Sequence, residues 1–346
     1  MIYKTYLLIL IFAFTMSACE EKPKTTAADP VAVVFVNDTL NKKVEVHLNG
    51  SLFTNYMYQS ELPKPVLFPL KTSSGKSLTR GFPIKPKTGE RIDHPHHMGH
   101  WFNYGDVNGL DFWNNSDAIA EEKLHKYGKI IHVDLVDINQ KEGSISSKSS
   151  WNSMTGDSLL AEETTFKFSQ KGNTRIVDRI TKIQALIDVS FKDNKEGVFG
   201  VRVTRAMELP SKKPAKYVDA QGIPTRVAVL DNTGVNGNYI SSEGVEGNEV
   251  WGTRAKWVKL YSIMENEPVS ITIIDNPKNV GYPTYWHARD YGLFAANPLG
   301  QEVFSKGKEK LNFSLKKDES VTFHYRMLIH NGSVLSAEEI SRFTFK

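Results

Sequence analysis

Lys43-Val44-Glu45-Val46-His47-Leu48-Asn49-Gly50-Ser51-Leu52-Phe53-Thr54-Asn55-Tyr56-Met57-Tyr58 decides the fold class. Val44, Val46 and Leu48 alternate with polar residues and share one face, the period of a half-buried strand. Asn49-Gly50 then supplies two residues that accept positive φ at the centre of a type I′ turn, so a hairpin into residues 51–58 is expected. Outward from it the same pattern recurs. Residues 164–168 turn at Lys171-Gly172-Asn173 into a long run over 174–189. Residues 198–203, 269–274, 311–315 and 321–329 are further β-branched and aromatic runs bounded by turn residues. Helix signals are scarce: Ser336-Ala337-Glu338-Glu339 has capping-box spacing before Ile340 and Phe343, which predicts one short C-terminal helix. No repeat or low-complexity segment interrupts residues 31–346. The expectation is an all-β fold, a single large antiparallel β-sandwich domain over 31–346 with two tightly packed sheets.

The start of the chain reads differently. Lys4, an apolar run over 6–14, and Ser17-Ala18 before Cys19 have the layout of a signal peptide over residues 1–18, too short to span a hydrocarbon layer of roughly 30 Å. Met16-Ser17-Ala18-Cys19 resembles the lipobox of bacterial lipoproteins, which implies acylation of Cys19. Glu20, in place of Asp, implies by the same resemblance a lipid anchor in the bacterial outer membrane. Residues 19–30 are polar and proline-containing, the composition of a flexible tether. Cys19 is the only cysteine, so no intrachain disulfide supports the fold. A net charge of +4 is too mild to point to nucleic acid.

Chemistry concentrates in three segments, 80–113, 241–257 and 283–300. They hold five of the six tryptophans, Trp151 being the exception. Four of the ten histidines crowd into Asp93-His94-Pro95-His96-His97-Met98-Gly99-His100, directly before Trp101. Imidazole exchanges protons or binds metals near neutral pH, and indole faces suit polar ring-shaped ligands. In a strand His94 and His96 would face one side and His97 the other, but Pro95 pushes the stretch to an edge or loop where all four imidazoles converge. Two chemistries are open. His94 and His96, with Asp93 or a distant carboxylate, start a divalent metal site. Alternatively no cofactor is bound, one imidazole is a general acid or base, and the others hydrogen-bond to substrate hydroxyls. The metal-free version is preferred, because no Glu-x-x-His or second His-x-His completes a metal shell. Gly105-Asp106-Val107-Asn108-Gly109 reads as a tight turn and Asp111 as structural. Arg254, between Trp251 and Trp257, can stack on a ring and still present its fork. His287 and Arg289 share a strand face opposite Trp286 and Asp290, so His287 and Asp290 are not expected to act as a local pair.

At these segments the chain resembles the PmoA-like family of secreted bacterial proteins. The residues that carry the resemblance are Thr79-Arg80-Gly81-Phe82-Pro83, Asp93-His94-Pro95-His96-His97, Gly105-Asp106-Val107-Asn108-Gly109, Lys195-Glu196-Gly197, Val250-Trp251-Gly252 with Arg254 and Trp257, and residues 283–292. Met98 and Tyr104 depart from the pattern, where the family usually has a basic residue and a histidine. The family's inherited label, methane oxygenase, has no support here, since that membrane enzyme needs several spans and none follows the signal. The resemblance implies a sandwich like the galactose-mutarotase supersandwich and a setting among secreted sugar-degrading enzymes, and it adds Glu196 to the candidates.

The expected protein is thus a lipid-anchored enzyme acting on a plant or microbial saccharide, as hydrolase, lyase or epimerase. His96 or His97 transfers the proton, Glu196 or Asp290 is its carboxyl partner, and His287 joins them. Arg254 anchors substrate, Trp101, Trp251 and Trp286 form stacking walls, and His94, His100 and Arg289 make further contacts. The rivals are a noncatalytic glycan-binding lipoprotein and a metal-dependent oxygenase or isomerase on a cupin-like barrel. All of them require the three segments to line one hollow.

Overall fold

The computed structural model describes residues 1–2 and 32–345. The expected signal peptide, the tether and Cys19 lie outside the described residues. Two eight-stranded sheets, antiparallel throughout, form the sandwich. The first runs, in spatial order, Val33–Asp38, Lys43–Leu48, Ser51–Met57, Val66–Leu67, His100–Tyr104, Gly197–Arg202, Leu293–Asn297, Tyr285–Ala288. The second runs Asn238–Ser241, Trp257–Met264, Glu267–Asp275, Ser320–Asn331, Thr174–Ala185, Ser158–Lys171, Ser144–Ser153, Gly128–Asn139. The hairpin forms where expected: Asn49 and Gly50 have φ of 50° and 75°, the pair of left-handed residues a type I′ turn needs.

Alternation sends one face of each strand into the space between the sheets. Phe102, Phe199 and Phe294 of the first sheet pack with Val177, Ile271, Phe323 and Tyr325 of the second. Ring centroids of Phe199 and Tyr325 are 4.9 Å apart, and those of Phe102 and Phe323 are 5.4 Å apart. That interior also holds a buried ion pair, Arg179 to Glu162 at 3.0 Å, with the Trp151 indole donating to the same carboxylate at 2.8 Å. Removing either charge would strand the other in a dry interior.

The outer face of the first sheet carries a second cluster, built on Trp101, Trp113, Met98, Phe68, Leu293 and Ala295. It forms because Trp101 and Ala295 alternate with Phe102 and Phe294 and so point away from the sandwich core. Gly200 makes room for it: a Cβ there would lie 2.7 Å from the Trp101 ring, so only glycine lets the indole lie flat on the neighbouring strand.

Ser336 caps the short helix Ala337–Ser341 reciprocally with Glu339, as its spacing predicts. A second single turn, Gln301–Phe304, was not foreseen. The run over 174–189 breaks after Ala185, and of 311–315 only Ser314–Leu315 is extended, paired with Val189–Ser190. The strand Ser144–Ser153 escapes sequence reading because serine, not a large apolar residue, fills several of its buried positions. Among the described residues no helix is long and apolar enough to cross a membrane.

Candidate functional site

Arg80 shapes the histidine-rich loop. Its side chain is 1% exposed, and its two terminal nitrogens donate to the carbonyl oxygens of Arg91, Asp93, His94 and His97 at 2.8–3.2 Å and to Asp93 Oδ1 at 2.9 Å. Arg202, from the strand beneath, donates to Asp93 Oδ1 at 2.6 Å and to His97 Nδ1 at 3.3 Å. Burial pushes the Asp93 carboxyl up, but the Arg202 and Arg80 guanidiniums and the His94 hydrogen bond outweigh it and hold Asp93 well below the usual carboxylate range. Thus clamped, the loop turns tightly, with His97 N–H donating to the His94 carbonyl at 3.0 Å. His94 adopts φ of 45°, a left-handed conformation that costs a non-glycine residue roughly 1–2 kcal/mol and persists because the carbonyl clamp fixes it.

Three imidazoles converge as a result. The His96 and His97 ring centroids are 4.3 Å apart, and those of His94 and His97 are 4.9 Å apart and stacked. Tyr291 also stacks on His94, at 4.8 Å, and Trp101 lies under His97 at 5.2 Å. With Trp113, Lys195, Glu196, His287, Arg289 and Asp290 they line a cleft of about 340 Å³ over the outer face of the first sheet. Seven expected residues, His94, His96, His97, Glu196, His287, Arg289 and Asp290, therefore share one hollow.

The imidazoles of His96, His97 and His287 are held neutral. Burial pushes His96 down to about 2 and His287 down to about 3, helped by Lys64 in the first case and by Lys195 and Arg289 in the second. Burial, then His96 and Arg202, holds His97 well below its ordinary value. Tautomers follow from the partners. A guanidinium only donates, so His97 Nδ1 accepts from Arg202 and His97 Nε2 carries the proton. His287 bonds the Lys195 backbone and leaves Nδ1 without a partner, a lone pair buried at the cleft. His96 Nε2 and His97 Nε2 are buried and unpartnered as well. The site thus presents a donor from His97 and an acceptor from His287, the complement of a hydroxyl-rich ligand.

Glu196 has both oxygens engaged, Oε1 by Lys195 Nζ and Oε2 by Asn114 Nδ2 at 2.7 Å. Asn114 also donates to Asp111, which caps its own turn by accepting from the Trp113 and Asn114 amides at 2.8 Å. Asp106 accepts from Gly109 N at 2.9 Å, as a turn residue does. No group of three or more His, Cys, Asp or Glu side chains among the described residues has the geometry to hold a metal.

Four expected residues lie elsewhere, and Trp101 is a floor hidden beneath His97, not an open wall. His100 faces the sandwich interior, because it alternates with Trp101 and takes the inward side. Its Nδ1 donates to the Gly200 carbonyl at 2.9 Å, and its ring packs on Phe199. Trp286 also turns inward, fully buried, with its indole donating to the Ala255 carbonyl at 3.1 Å. Arg254 stacks on Tyr285 at 4.4 Å and donates to the Gly281 and Pro283 carbonyls, with Glu309 as its ion partner, so its fork is already occupied. Trp251 packs on Phe304 and sits behind the cleft, 5.9 Å from the Arg289 guanidinium. Sequence reasoning missed Tyr291 and Lys195, which fall in motifs named above, Trp113, which closes the first segment, and Ser211 and Lys213, which no motif marks.

These features define an antiparallel β-sandwich protein with a polar, ring-lined cleft on one sheet. Residues 43–344 match the model of a family of unknown function, DUF6807, and the chain belongs to that family. The model carries no link to the PmoA label. No curated protein matches the chain. Solved structures it is similar to include a GH36 alpha-galactosidase from Geobacillus stearothermophilus, 10% identical, TM-score 0.39, with 85% of this chain and 40% of that one covered. A polysaccharide lyase is 11% identical, TM-score 0.31, covering 89% and 34%. A galactose mutarotase related enzyme from Lactobacillus acidophilus is 11% identical, TM-score 0.30, covering 87% and 98%. The chain spans about 40% of the length of the galactosidase. These are distant likenesses and assign no residue a role.

Proposed function

We propose that the cleft binds a saccharide and that its neutral imidazoles move a proton on it, as a lyase or epimerase does. The observation that carries this reading is the set of three buried imidazoles, His96, His97 and His287, each with an unpartnered ring nitrogen, in one cleft of about 340 Å³. Such a volume suits a small ligand. The rings of His94, Tyr291 and Trp113 line the cleft with aromatic surface that suits a pyranose, and a neutral imidazole lone pair on His287 is placed to take a proton. Hydrolysis by paired carboxylates is the weaker reading, because Glu196 already has both oxygens engaged.

The test is incubation of the purified chain with a panel of oligosaccharides, followed by mass and NMR analysis of products. A lyase yields an unsaturated product, and an epimerase exchanges a carbon-bound hydrogen with deuterated water. His287→Gln and His97→Gln should abolish turnover while melting within a few degrees of the parent. Unchanged turnover in both variants would remove the imidazoles from the mechanism. Saccharide affinity with no product from any panel member would establish the noncatalytic glycan-binding alternative. Stoichiometric iron, manganese or zinc in the purified protein would replace the metal-free reading with a divalent metal on His94 and His96. We place the chain at the outer membrane through acylation of Cys19, and Cys19→Ser should move it from the membrane to the soluble fraction.

A further inference from the structure

We infer that the cleft takes an anionic saccharide, a sugar bearing a carboxylate or a sulfate ester, held by Arg289 with Lys213 beside it. The inference rests on the saccharide reading above and narrows its substrate class.

It follows from where the charges go. Behind the loop Arg80 and Arg202 pair with Asp93 and Arg91 pairs with Glu208, while Glu90, which accepts from the Gly81 and Phe82 amides, acts on Arg80 by its charge alone, so three guanidiniums there face three carboxylates. Within the cleft Lys195 is paired with Glu196. The imidazoles of His96, His97 and His287 contribute no charge. Lys213 and Arg289 remain, against the single carboxylate of Asp290, and neither cation has an acidic partner within 4 Å among the described residues. One positive charge is therefore uncompensated in a concave site, where field lines concentrate.

Arg289 is also built for the task. Its guanidinium lies 5.8 Å from the Tyr291 ring and 5.9 Å from the Trp251 ring, and it makes no side-chain hydrogen bond to the protein. Two aromatic faces thus hold the planar fork while all its donors stay available to an oxyanion. Trp251, behind the cleft, acquires a role as the support of this anchor. Asp290 is turned aside: it accepts from the Tyr291 backbone at 3.0 Å and from the Ser211 hydroxyl at 3.4 Å.

Calorimetry on the full chain in detergent micelles tests this. The probes are galacturonate and glucuronate, their methyl esters, galactose 6-sulfate and glucose 6-sulfate, and neutral galactose and glucose. At least one anionic probe should bind about tenfold or more tighter than its uncharged counterpart, and the gap should narrow as salt rises. The acid arm against the sulfate arm identifies which oxyanion is meant. Arg289→Gln should remove most of that gap, and Trp251→Ala should reduce it in part. Neutral sugars binding as tightly as the charged ones would overturn this inference and leave the saccharide reading standing. So would a charge preference that survives Arg289→Gln. Absence of binding by every probe would overturn both.

Discussion

Arg80→Met is the sharpest test of how the cleft is held. The guanidinium meets four backbone carbonyls and one carboxylate oxygen. Methionine fills much of the same space but donates nothing, so the carbonyls of Arg91, Asp93, His94 and His97 lose the Arg80 donor, His94 keeping only the His97 amide, and Asp93 keeps Arg202 as its one guanidinium partner. A hydrogen bond from a charged donor is worth about 1.5–3 kcal/mol, and breaking a buried pair costs about 3–5 kcal/mol. The five contacts share two nitrogens and are not additive, so the expected loss is about 3–5 kcal/mol in all. Arg80→Lys keeps the charge and loses the fork, for about 1–3 kcal/mol. Urea unfolding measures both through the midpoint at constant slope. Arg342→Met is the control: its pair with Glu338 at 2.7 Å is largely exposed, and the midpoint should not move. A stability of Arg80→Met within about 1 kcal/mol of the parent would show that the loop holds itself without the clamp.

The remaining predictions concern pH and the residues that the fold places away from the cleft. His96, His97 and His287 have folded values lowered by burial, so they favour the native state fully above the unfolded value of about 6.5, and that advantage is lost as pH falls toward the folded values. Urea midpoints should therefore drop below about pH 6.5, and less steeply in His96→Gln; coincident slopes would refute the assignment. Lys64, buried with its Nζ donating to the His96 carbonyl at 2.8 Å, is pushed down to about 7 by burial. Stability should consequently rise with pH between about 7 and 10.4, and Lys64→Met should flatten that rise, read from unfolding curves at pH 7, 8 and 9. Trp286→Phe should cost about 1–3 kcal/mol in urea and leave saccharide affinity unchanged, since it loses packing and one buried indole bond. Arg254→Gln should likewise leave affinity unchanged in calorimetry, because its fork is bound to the Gly281 and Pro283 carbonyls.

Local chemistry was legible and long-range partnership was not. The Asn49-Gly50 turn and the Ser336–Glu339 cap are decided within four residues, and both formed as read. His94, His96 and His97 converge because Pro95 takes the stretch out of a ladder, also a local effect. Period-two alternation correctly separated His287 and Arg289 from Trp286 but could not say which face met the other sheet, so Trp286 went to the core and His287 to the cleft. His100 fails for the same reason. Arg254 stands between two tryptophans in sequence, yet its contacts are Tyr285, Glu309 and two carbonyls up to 55 residues away. Nothing short of the tertiary fold could reveal that. Asp290 lies two residues past the last strand residue, Ala288, and so escapes the alternation that would have turned it inward.

The strand His100–Tyr104 sets Trp101 beneath His97 of the cleft while Phe102, on its reverse, packs against Phe323 of the opposite sheet. Floor and framework are the same backbone, so the floor can loosen only when the whole sandwich melts. An incoming ligand has no such surface to organise on arrival, and its affinity should pass nearly undiminished into a higher melting temperature of the entire chain.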